Sequence, residues 1–302
     1  MNLYLKHRPK SFDEIVGNYE VIESLSNMMA KDPPHSFLLT GPTGCGKTTI
    51  GRIIAKELDC KGADFTEVDS ADFRGIETVR NIRKLTRYSA QEGSARVFLI
   101  DECHKMTNDA QNALLKILED TPAHVYFILC TTDPQKLLKT VKGRCQTFDL
   151  KTLSHTEMKR LIRRTVKKEE EELEKEVVEQ IIKAAKGHPR NALQILDQVL
   201  NVDPENRLEA AQKAEILEHA SIDLCRILIR EGSRWRDVIP ILAGLKDEDP
   251  EGIRRHVLGY CQAVLLKGEN DRAALVMECF LEPFYNTNFA GLVFACYSVY
   301  NG

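Results

Sequence analysis

The stretch LLTGPTGCGKTT, residues 38–49, decides how the rest of the sequence is interpreted. It matches G-x-x-x-x-G-K-[ST] from Gly41 to Thr48 and stands between an apolar strand pattern and the helical pattern TTIGRIIAKEL. Glycines let backbone N–H groups approach phosphate oxygens, and the N-terminus of the following helix adds positive charge. In this context the pattern predicts a phosphate-binding loop, and a purely structural glycine turn is the weaker alternative.

The loop predicts a nucleotide held together with Mg²⁺. We expect Lys47 to bridge the β- and γ-phosphates and Thr48 to bind the metal ion. The residues expected to surround the phosphates are contiguous: Gly41, Pro42, Thr43, Gly44, Cys45, Gly46, Lys47, Thr48 and Thr49.

Short apolar strand patterns alternate with helical patterns from about residue 35 to residue 150. The five strand candidates are SFLLT, DFTEVD, RVFLID, VYFILCTT and CQTFDL. Strands separated by helices predict an α/β fold with a parallel sheet, whose ligands bind at the carboxyl ends of the strands.

Two carboxylates end the strand in VFLIDECH, about fifty residues after the phosphate loop. We expect Asp101 to face the Mg²⁺ site and Glu102 to act as the base that polarises water. Thr131 and Thr132 end the next strand candidate. Threonine is also an ordinary strand residue, so these two side chains alone do not establish a role.

The strand signals stop after Leu150 and helical patterns follow. Ser154 and Glu157 form a capping-box pattern, with Leu153 and Met158 placed to staple the first turn. A second helix is expected to stop at Gly187, and a third to start at Pro189. We therefore predict three domains, namely a nucleotide-binding domain (1–150), a three-helix domain (151–203) and a helical C-terminal domain (204–302).

Composition excludes several classes of protein. The net charge of −3 shows no general basic bias, so any nucleic-acid surface must be local. No apolar run could cross a bilayer, and MNLYLKHRPKSF lacks the core of a signal peptide. These features predict no membrane association and a cytoplasmic protein, or a nuclear one in a eukaryote. The nine cysteines show no C-x-x-C spacing, which favours buried free thiols over a metal site.

One helical pattern, RGIETVRNIRKLTRY, does carry a local basic stripe. Its apolar face holds Ile76, Val79 and Ile82, together with Thr86. Another face holds four cations, Arg80, Arg83, Lys84 and Arg87. Such a stripe suits contacts to DNA phosphates without base reading, and an exposed helix made soluble by arginines is the alternative.

Five motifs occur in the order found in clamp-loader AAA+ ATPases, which this chain resembles. They are YLKHRPKSFDEIVGN, GPTGCGKTT, LIDECHKMTNDAQNALLKILEDTP, CTTDPQKLLKTVKGRC and GHPRNALQILDQ. TTDPQKL resembles bacterial gamma/tau subunits, and RGIETVRN resembles replication factor C small subunits. The resemblance covers about residues 3–200 and rests on helical character alone beyond residue 205.

The resemblance implies a RecA-like AAA+ ATPase domain, a three-helix lid and a helical collar that holds several subunits in a ring, expected to be pentameric. It implies that ATP closes the ring around primer–template DNA and opens a sliding clamp, in a bacterial, phage-infected or archaeal cytoplasm or in a nucleus. Thr132 resembles the first sensor residue, and Arg190 resembles the second, which reaches the γ-phosphate. The adenine pocket would involve Arg8, Pro9, Val16 and Gly17. The basic stripe would face DNA inside the ring.

Two departures from the family pattern matter. Bacterial gamma/tau subunits carry a four-cysteine zinc module after the phosphate loop, whereas only Cys60 lies in that stretch, so we predict no zinc. The family's Ser-Arg-Cys motif is Gly143-Arg144-Cys145 here. We expect Arg144 to act on the ATP of the adjacent subunit, and the alternative is an arginine paired with a local carboxylate.

Two rival functions are kept open. A branch-migration helicase shares the ATPase motifs but ends in a winged-helix domain, and residues 206–302 show no hairpin-wing pattern. A catalytically silent scaffold subunit of the same ring is the second rival. Lys47, Thr48, Asp101 and Glu102 are all present, which favours the motor over the scaffold.

Overall fold

The protein was analysed as a computed structural model. It describes residues 2–70, 75–246, 248–266, 268–284 and 287–300, and within these it describes only the backbone of residues 213–220. Arg74, the first residue of the RGIETVRN motif, lies outside the described residues. The chain divides into two compact units, Met1–Leu208 and Glu209–Gly302, which are described separately below.

A five-stranded parallel sheet forms the centre of the first unit. Its strands are β1 (Ser36–Thr40), β2 (Phe65–Asp69), β3 (Arg96–Asp101), β4 (Val125–Thr131) and β5 (Gln146–Asp149). The spatial order is β2-β3-β4-β1-β5, so β4 separates β3 from the strand that precedes the phosphate loop. The predicted α/β parallel sheet is therefore confirmed.

Helices cover both faces of the sheet. The helices up to residue 150 are α1 (Leu3–Lys6), α2 (Tyr19–Met29), α3 (Lys47–Glu57), α4 (Ile76–Leu85), α5 (Asn108–Glu119) and α6 (Lys139–Lys142), and the sheet is covered by those after α1. One apolar core joins α2 and α3 to strand residues such as Leu39 and Leu99. The other joins α4 and α5 to Leu38 and Phe98, which point to the opposite face because side chains alternate along a strand.

Three further helices complete the first unit: α7 (His155–Lys168), α8 (Lys175–Ala185) and α9 (Pro189–Leu200). The predicted capping box is present at the start of α7, where the Glu157 carboxylate accepts the Ser154 N–H at 2.8 Å. Leu153 and Met158 are both buried, as a staple requires. Helix α8 ends slightly before Gly187, since Lys186 already takes a left-handed conformation with φ 47°.

The second unit is helical throughout its described part. Its helices are α10 (Arg207–Ile229), whose first two residues are counted with the first unit, α11 (Trp235–Gly244), α12 (Pro250–Leu265), α13 (Asp271–Cys279) and α14 (Asn288–Ser298). They pack around a separate apolar core that includes Leu224, Val257 and Phe280. Across the residues described in both units, no helix is long and apolar enough to cross a membrane.

Candidate nucleotide-binding site

The phosphate loop leaves the carboxyl end of β1 in a shape that depends on glycine. Gly41 has φ 137°, and a Cβ atom there would lie 2.3 Å from the carbonyl oxygen of Leu150. Any side chain would therefore collide with the backbone that follows β5. Gly46, with φ 104°, caps the start of α3. The loop thus delivers the N-terminus of α3 at the sheet edge where nucleotide phosphates bind in such folds.

Lys47 is a nearly buried cation, with 5% of its surface exposed. Its ammonium group donates to the carbonyl oxygens of Gly41 and Pro42 at 2.8 and 2.9 Å. Both partners are uncharged, so the positive charge of Lys47 can still be used by an anion. A phosphate group beside the loop would supply one.

Thr48 and Asp101 meet although they come from different elements. The Thr48 hydroxyl donates to Oδ2 of Asp101 at 2.6 Å, while Oδ1 accepts the Glu102 N–H at 2.9 Å. Asp101 ends β3, and β1 and β3 are separated only by β4, so their carboxyl ends lie close together. A hydroxyl beside a carboxylate is an oxygen donor set of the kind that Mg²⁺ accepts.

Glu102 has a left-handed backbone conformation, with φ 48°. Non-glycine residues seldom adopt it, and such conformations concentrate at functional sites. The Thr132 hydroxyl donates to Oε2 of Glu102 at 3.3 Å, and the His104 Nδ1 atom lies 3.4 Å from the same oxygen. The Glu102 side chain is 25% exposed, so water can reach its carboxylate.

His104 was not identified from the sequence. Its Nδ1 atom lies 3.0 Å from the Thr131 hydroxyl, whose oxygen also accepts the Asp133 N–H at 3.0 Å. Burial lowers the pKa of His104, and the Glu102 carboxylate partly opposes this effect. Burial thus favours the neutral form of the imidazole. The letters DECH place it two residues after Glu102, but only the 3₁₀ turn Cys103–Lys105 brings the ring back towards the carboxylate.

A cavity beside the phosphate loop has a largely apolar wall and four Lys and Arg residues, two of which are Arg164 and Lys168. Its lining includes Tyr4, Pro9, Val16, Ile50, Leu161 and Leu193, together with Arg8 and Arg190. The Arg190 guanidinium lies over the Tyr4 ring, 5.9 Å from its centroid. Burial, Arg52 and Arg190 all lower the pKa of Arg8, because each disfavours its charged form. A bound anion would relieve this accumulation of positive charge.

The start of α9 lies directly against the phosphate loop. The carbonyl oxygen of Thr43 is 3.0 Å from Nδ1 of His188. A Cβ atom at Gly44 would be 3.4 Å from the Cβ atom of Arg190. The structure thus brings Arg190 to the loop. Gly17 is not in the cavity wall: it packs against Leu153, where a Cβ atom would lie 2.4 Å from Cδ2.

Arg144 has partners that the sequence did not reveal. Its guanidinium donates to the carbonyl oxygen of Thr140 at 3.1 Å and forms an ion pair with Glu119 at the end of α5. Both side chains of the pair are more than a third exposed. In this single chain Arg144 therefore has the local carboxylate partner that the sequence analysis kept as an alternative.

The predicted stripe on α4 has the expected faces. Val79, Ile82 and Thr86 are buried, whereas the four cations Arg80, Arg83, Lys84 and Arg87 are exposed. Arg80 forms an ion pair with Glu77 one turn earlier. All nine cysteines are free thiols, and most of them are buried.

The amino-acid sequence is similar to those of several known proteins. Residues 17–154 match the family model described as DNA polymerase III, delta subunit. The chain is 33% identical over 256 residues to the DNA polymerase III subunit gamma of Buchnera aphidicola, covering 76% of this chain and 70% of that protein. It is 35% identical over 224 residues to the gamma/tau subunit of Mycobacterium tuberculosis H37Rv, covering 66% of this chain and 39% of that protein. The chain thus spans well under half the length of its mycobacterial relatives.

Two solved structures from Thermotoga maritima share the fold. The RuvB Holliday junction branch migration motor superposes with a TM-score of 0.61 at 23% identity, covering 80% of this chain and 86% of that one. A DNA polymerase III gamma subunit-related protein superposes with a TM-score of 0.52 at 15% identity, covering 92% and 98%. At these identities the likeness concerns the fold alone, and it confirms the RecA-like AAA+ architecture of the sheet and its helices.

Proposed function

Because the chain belongs to the family of DNA polymerase III gamma/tau subunits, we propose that it is an ATPase motor subunit of a DNA sliding-clamp loader. One observation carries the ATPase part of the proposal. Lys47 and Thr48 at the start of α3 converge with Asp101 and Glu102 at the end of β3, at one edge of the parallel sheet. A catalytically silent scaffold would have no need of this arrangement.

The proposed site binds ATP with Mg²⁺. Thr48 and Asp101 would hold the metal ion, which would neutralise phosphate charge. Lys47 would turn from the Gly41 and Pro42 carbonyls to the β- and γ-phosphates. Residues 41–49 would surround the phosphate chain. The base would occupy the adjoining cavity, where Arg8, Pro9 and Val16 contribute, with Gly17 supporting the wall from behind.

In the proposed hydrolysis Glu102 polarises the attacking water and accepts its proton. Thr132, whose hydroxyl bonds the Glu102 carboxylate at 3.3 Å, would hold that carboxylate and the water in line. Arg190 would leave Tyr4 for the γ-phosphate, which would couple the three-helix lid to the nucleotide. These residues are therefore proposed as positioning and charge-stabilising groups around one base.

Arg144 is proposed to act on the ATP of the adjacent subunit. A guanidinium that approaches the γ-phosphate from outside stabilises charge in the transition state, typically by about 10³–10⁵ in rate. Glu119 would have to release Arg144 first. An ion pair between partly exposed groups is weak, so the energy of docking against a neighbour can break it.

The proposed machine has three parts and several partners. Residues 1–150 would be the ATPase domain, residues 151–203 the lid and residues 204–302 the collar that holds further subunits in a ring, expected to be pentameric. Primer–template DNA would pass along Arg80, Arg83, Lys84 and Arg87, and a sliding clamp would be the cargo. The bacterial relatives support a cytoplasmic location.

The experiment that tests this proposal measures ATP hydrolysis by the chain with and without primer–template DNA and the sliding clamp of the same cell. We expect hydrolysis to rise when both are present. Lys47→Ala should abolish it by weakening nucleotide binding. A wild-type chain that hydrolyses no ATP in any combination would exclude the motor. Stimulation by four-way junctions, without any response to the clamp, would favour the branch-migration alternative.

A further inference from the structure

Helix α7 carries a higher density of Lys and Arg residues than helix α4, and its exposed face forms a second basic surface. The helix reads HTEMKRLIRRTVKK, with six Lys and Arg residues and one acidic residue, Glu157. Arg160, Arg163, Lys167 and Lys168 are exposed. In a chain with a net charge of −3, this helix thus carries a local excess of positive charge.

The spacing of these cations opposes the stability of the helix. Residues three or four apart are neighbours on a helix, and like charges at that spacing repel. Arg160 and Arg164, Arg163 and Lys167, and Arg164 and Lys168 are all four residues apart. Since nothing within the helix compensates for several such pairs, an external anion would stabilise this face.

Several nearby carboxylates have other partners, whereas Glu170 and Glu172 line one groove together with Arg163 and Lys167. Glu179 pairs with Lys159 and His155, while Glu169 pairs with Lys6 and His7. Beyond the end of α7, Glu171 pairs with Arg207 at 3.0 Å. These paired acidic groups lie around the edge of the surface and do not form ion pairs with the cations at its centre.

Two cationic side chains at the centre of the surface, Arg163 and Lys167, differ from their neighbours on α7. Arg160 donates to the Tyr19 hydroxyl, and Arg164 to the carbonyl oxygen of Glu14. Within the described part of the chain, the side chains of Arg163 and Lys167 form no hydrogen bond or ion pair. No carboxylate among the described residues holds these two charges in an ion pair, so both can contact an anionic partner.

We propose that Arg160, Arg163 and Lys167 on α7 form a second nucleic-acid contact that binds the phosphate backbone of duplex DNA. Arginine suits phosphate oxygens because its planar fork can donate two bonds at once. From Arg160 to Lys167 the helix rises about 10 Å, enough to face about three phosphates of one strand. Single-strand sites add aromatic side chains on which bases stack, and α7 carries no Phe, Tyr or Trp. This contact goes beyond the proposed function, which uses α4 for DNA.

The test compares two variants of the full chain that lose the same charge. One is Arg163→Gln with Lys167→Gln, and the control is Lys31→Gln with Lys61→Gln, two exposed lysines in loops far along the sequence from α7. Binding to a labelled, blunt duplex is followed by fluorescence anisotropy over a series of KCl concentrations. Two lost phosphate contacts should make the slope of log K against log[salt] less steep, reducing its magnitude by about 1.8 in the α7 variant. The control should keep the wild-type slope, and both should keep DNA-free ATP hydrolysis.

Three results would overturn the inference. The slope on duplex DNA could stay unchanged, which would make the α7 face an ordinary solvated surface. It could change on a single strand of equal length but not on the duplex. Finally, the variant could lose binding to polyglutamate while it keeps duplex binding, which would assign the surface to an acidic protein. A slope that responds to changes on α4 but not on α7 would reject only this inference and leave the proposed function standing.

Discussion

Glu102 is the residue on which the proposed chemistry depends, because it is the carboxylate at the sheet edge that is free of the Thr48 contact and open to water. Replacing it with glutamine keeps its size and hydrogen bonding but removes the base. We expect Glu102→Gln to retain ATP and DNA binding while hydrolysis falls by about 10²–10⁴-fold. Binding assays beside single-turnover hydrolysis measure the two effects, and near-normal turnover would remove Glu102 from the mechanism.

His104 is expected to position Glu102 through one particular ring nitrogen. Nδ1 lies near both the Thr131 hydroxyl and the Glu102 carboxylate. The amide nitrogen of asparagine occupies about the same position as Nδ1 of histidine. The amide nitrogen of glutamine, which has a longer side chain, occupies about the position of Nε2. We therefore expect His104→Asn to retain more activity than His104→Gln, with the loss in kcat and not in the KM for ATP.

The comparison of the two amides separates positioning from packing. If His104 only fills space, the larger glutamine should be tolerated at least as well as asparagine. Equal rates for the two variants, with equal thermal stability, would contradict the positioning role.

At the scale of elements, helix α4 offers four exposed cations on one face. Reversing the charge of Arg80, Arg83 and Arg87 together should weaken DNA binding at all sequences alike. The slope of log K against log[salt] should fall by roughly one unit per lost phosphate contact. Reversing three exposed lysines elsewhere, Lys31, Lys61 and Lys151, serves as the control. An unaltered slope in the α4 variant would show that these arginines do not contact DNA and only keep an exposed helix soluble.

Helix α12 contains a buried carboxylate whose ionisation should stabilise the second unit. Glu251 bonds Arg254 and accepts the Phe284 N–H at 3.0 Å, and these contacts lower its pKa from 4.5 to about 2. Because the folded pKa is lower than the ordinary value, the stabilisation is complete above pH 4.5 and disappears as the pH falls towards 2.

Glu251→Gln should therefore lower stability at pH 7 and flatten its dependence on pH between about 5 and 2. The fluorescence of Trp235, the single tryptophan, reports on unfolding of the second unit. The exposed Glu269→Gln is the matched control. If both variants show the wild-type pH dependence, the Glu251 contacts do not contribute as described.

Local patterns predicted the elements of the first unit well. β1 and β3 have the predicted bounds, and the Ser154–Glu157 capping box formed because both of its partners lie within one turn. Contacts between distant segments were not predictable in the same way. The Arg144–Glu119 pair, the Arg190–Tyr4 contact and the His104–Thr131 bond all depend on strand order and on turns, which a linear pattern does not encode. The close approach of Gly17 to Leu153 is likewise a contact between distant segments.

At the scale of the whole molecule, the account is that one chain supplies an ATP site and also an arginine for the site of a neighbour. Family membership supports an assembly of several subunits, and within the single chain Arg144 is held by Glu119. Supplying the arginine from outside would make hydrolysis depend on ring closure. A clamp loader needs this dependence, because ATP should be hydrolysed only after clamp and DNA are in place.

The most direct test mixes two variants in assembled rings. Arg144→Ala keeps an intact phosphate loop, and Lys47→Ala keeps an intact arginine, so neither ring alone should hydrolyse ATP at an appreciable rate. In mixed rings, an interface that pairs the ATP site of the first variant with Arg144 of the second has every required group. We predict that DNA- and clamp-stimulated hydrolysis recovers in the mixture. No recovery, in rings shown to contain both variants, would contradict the account.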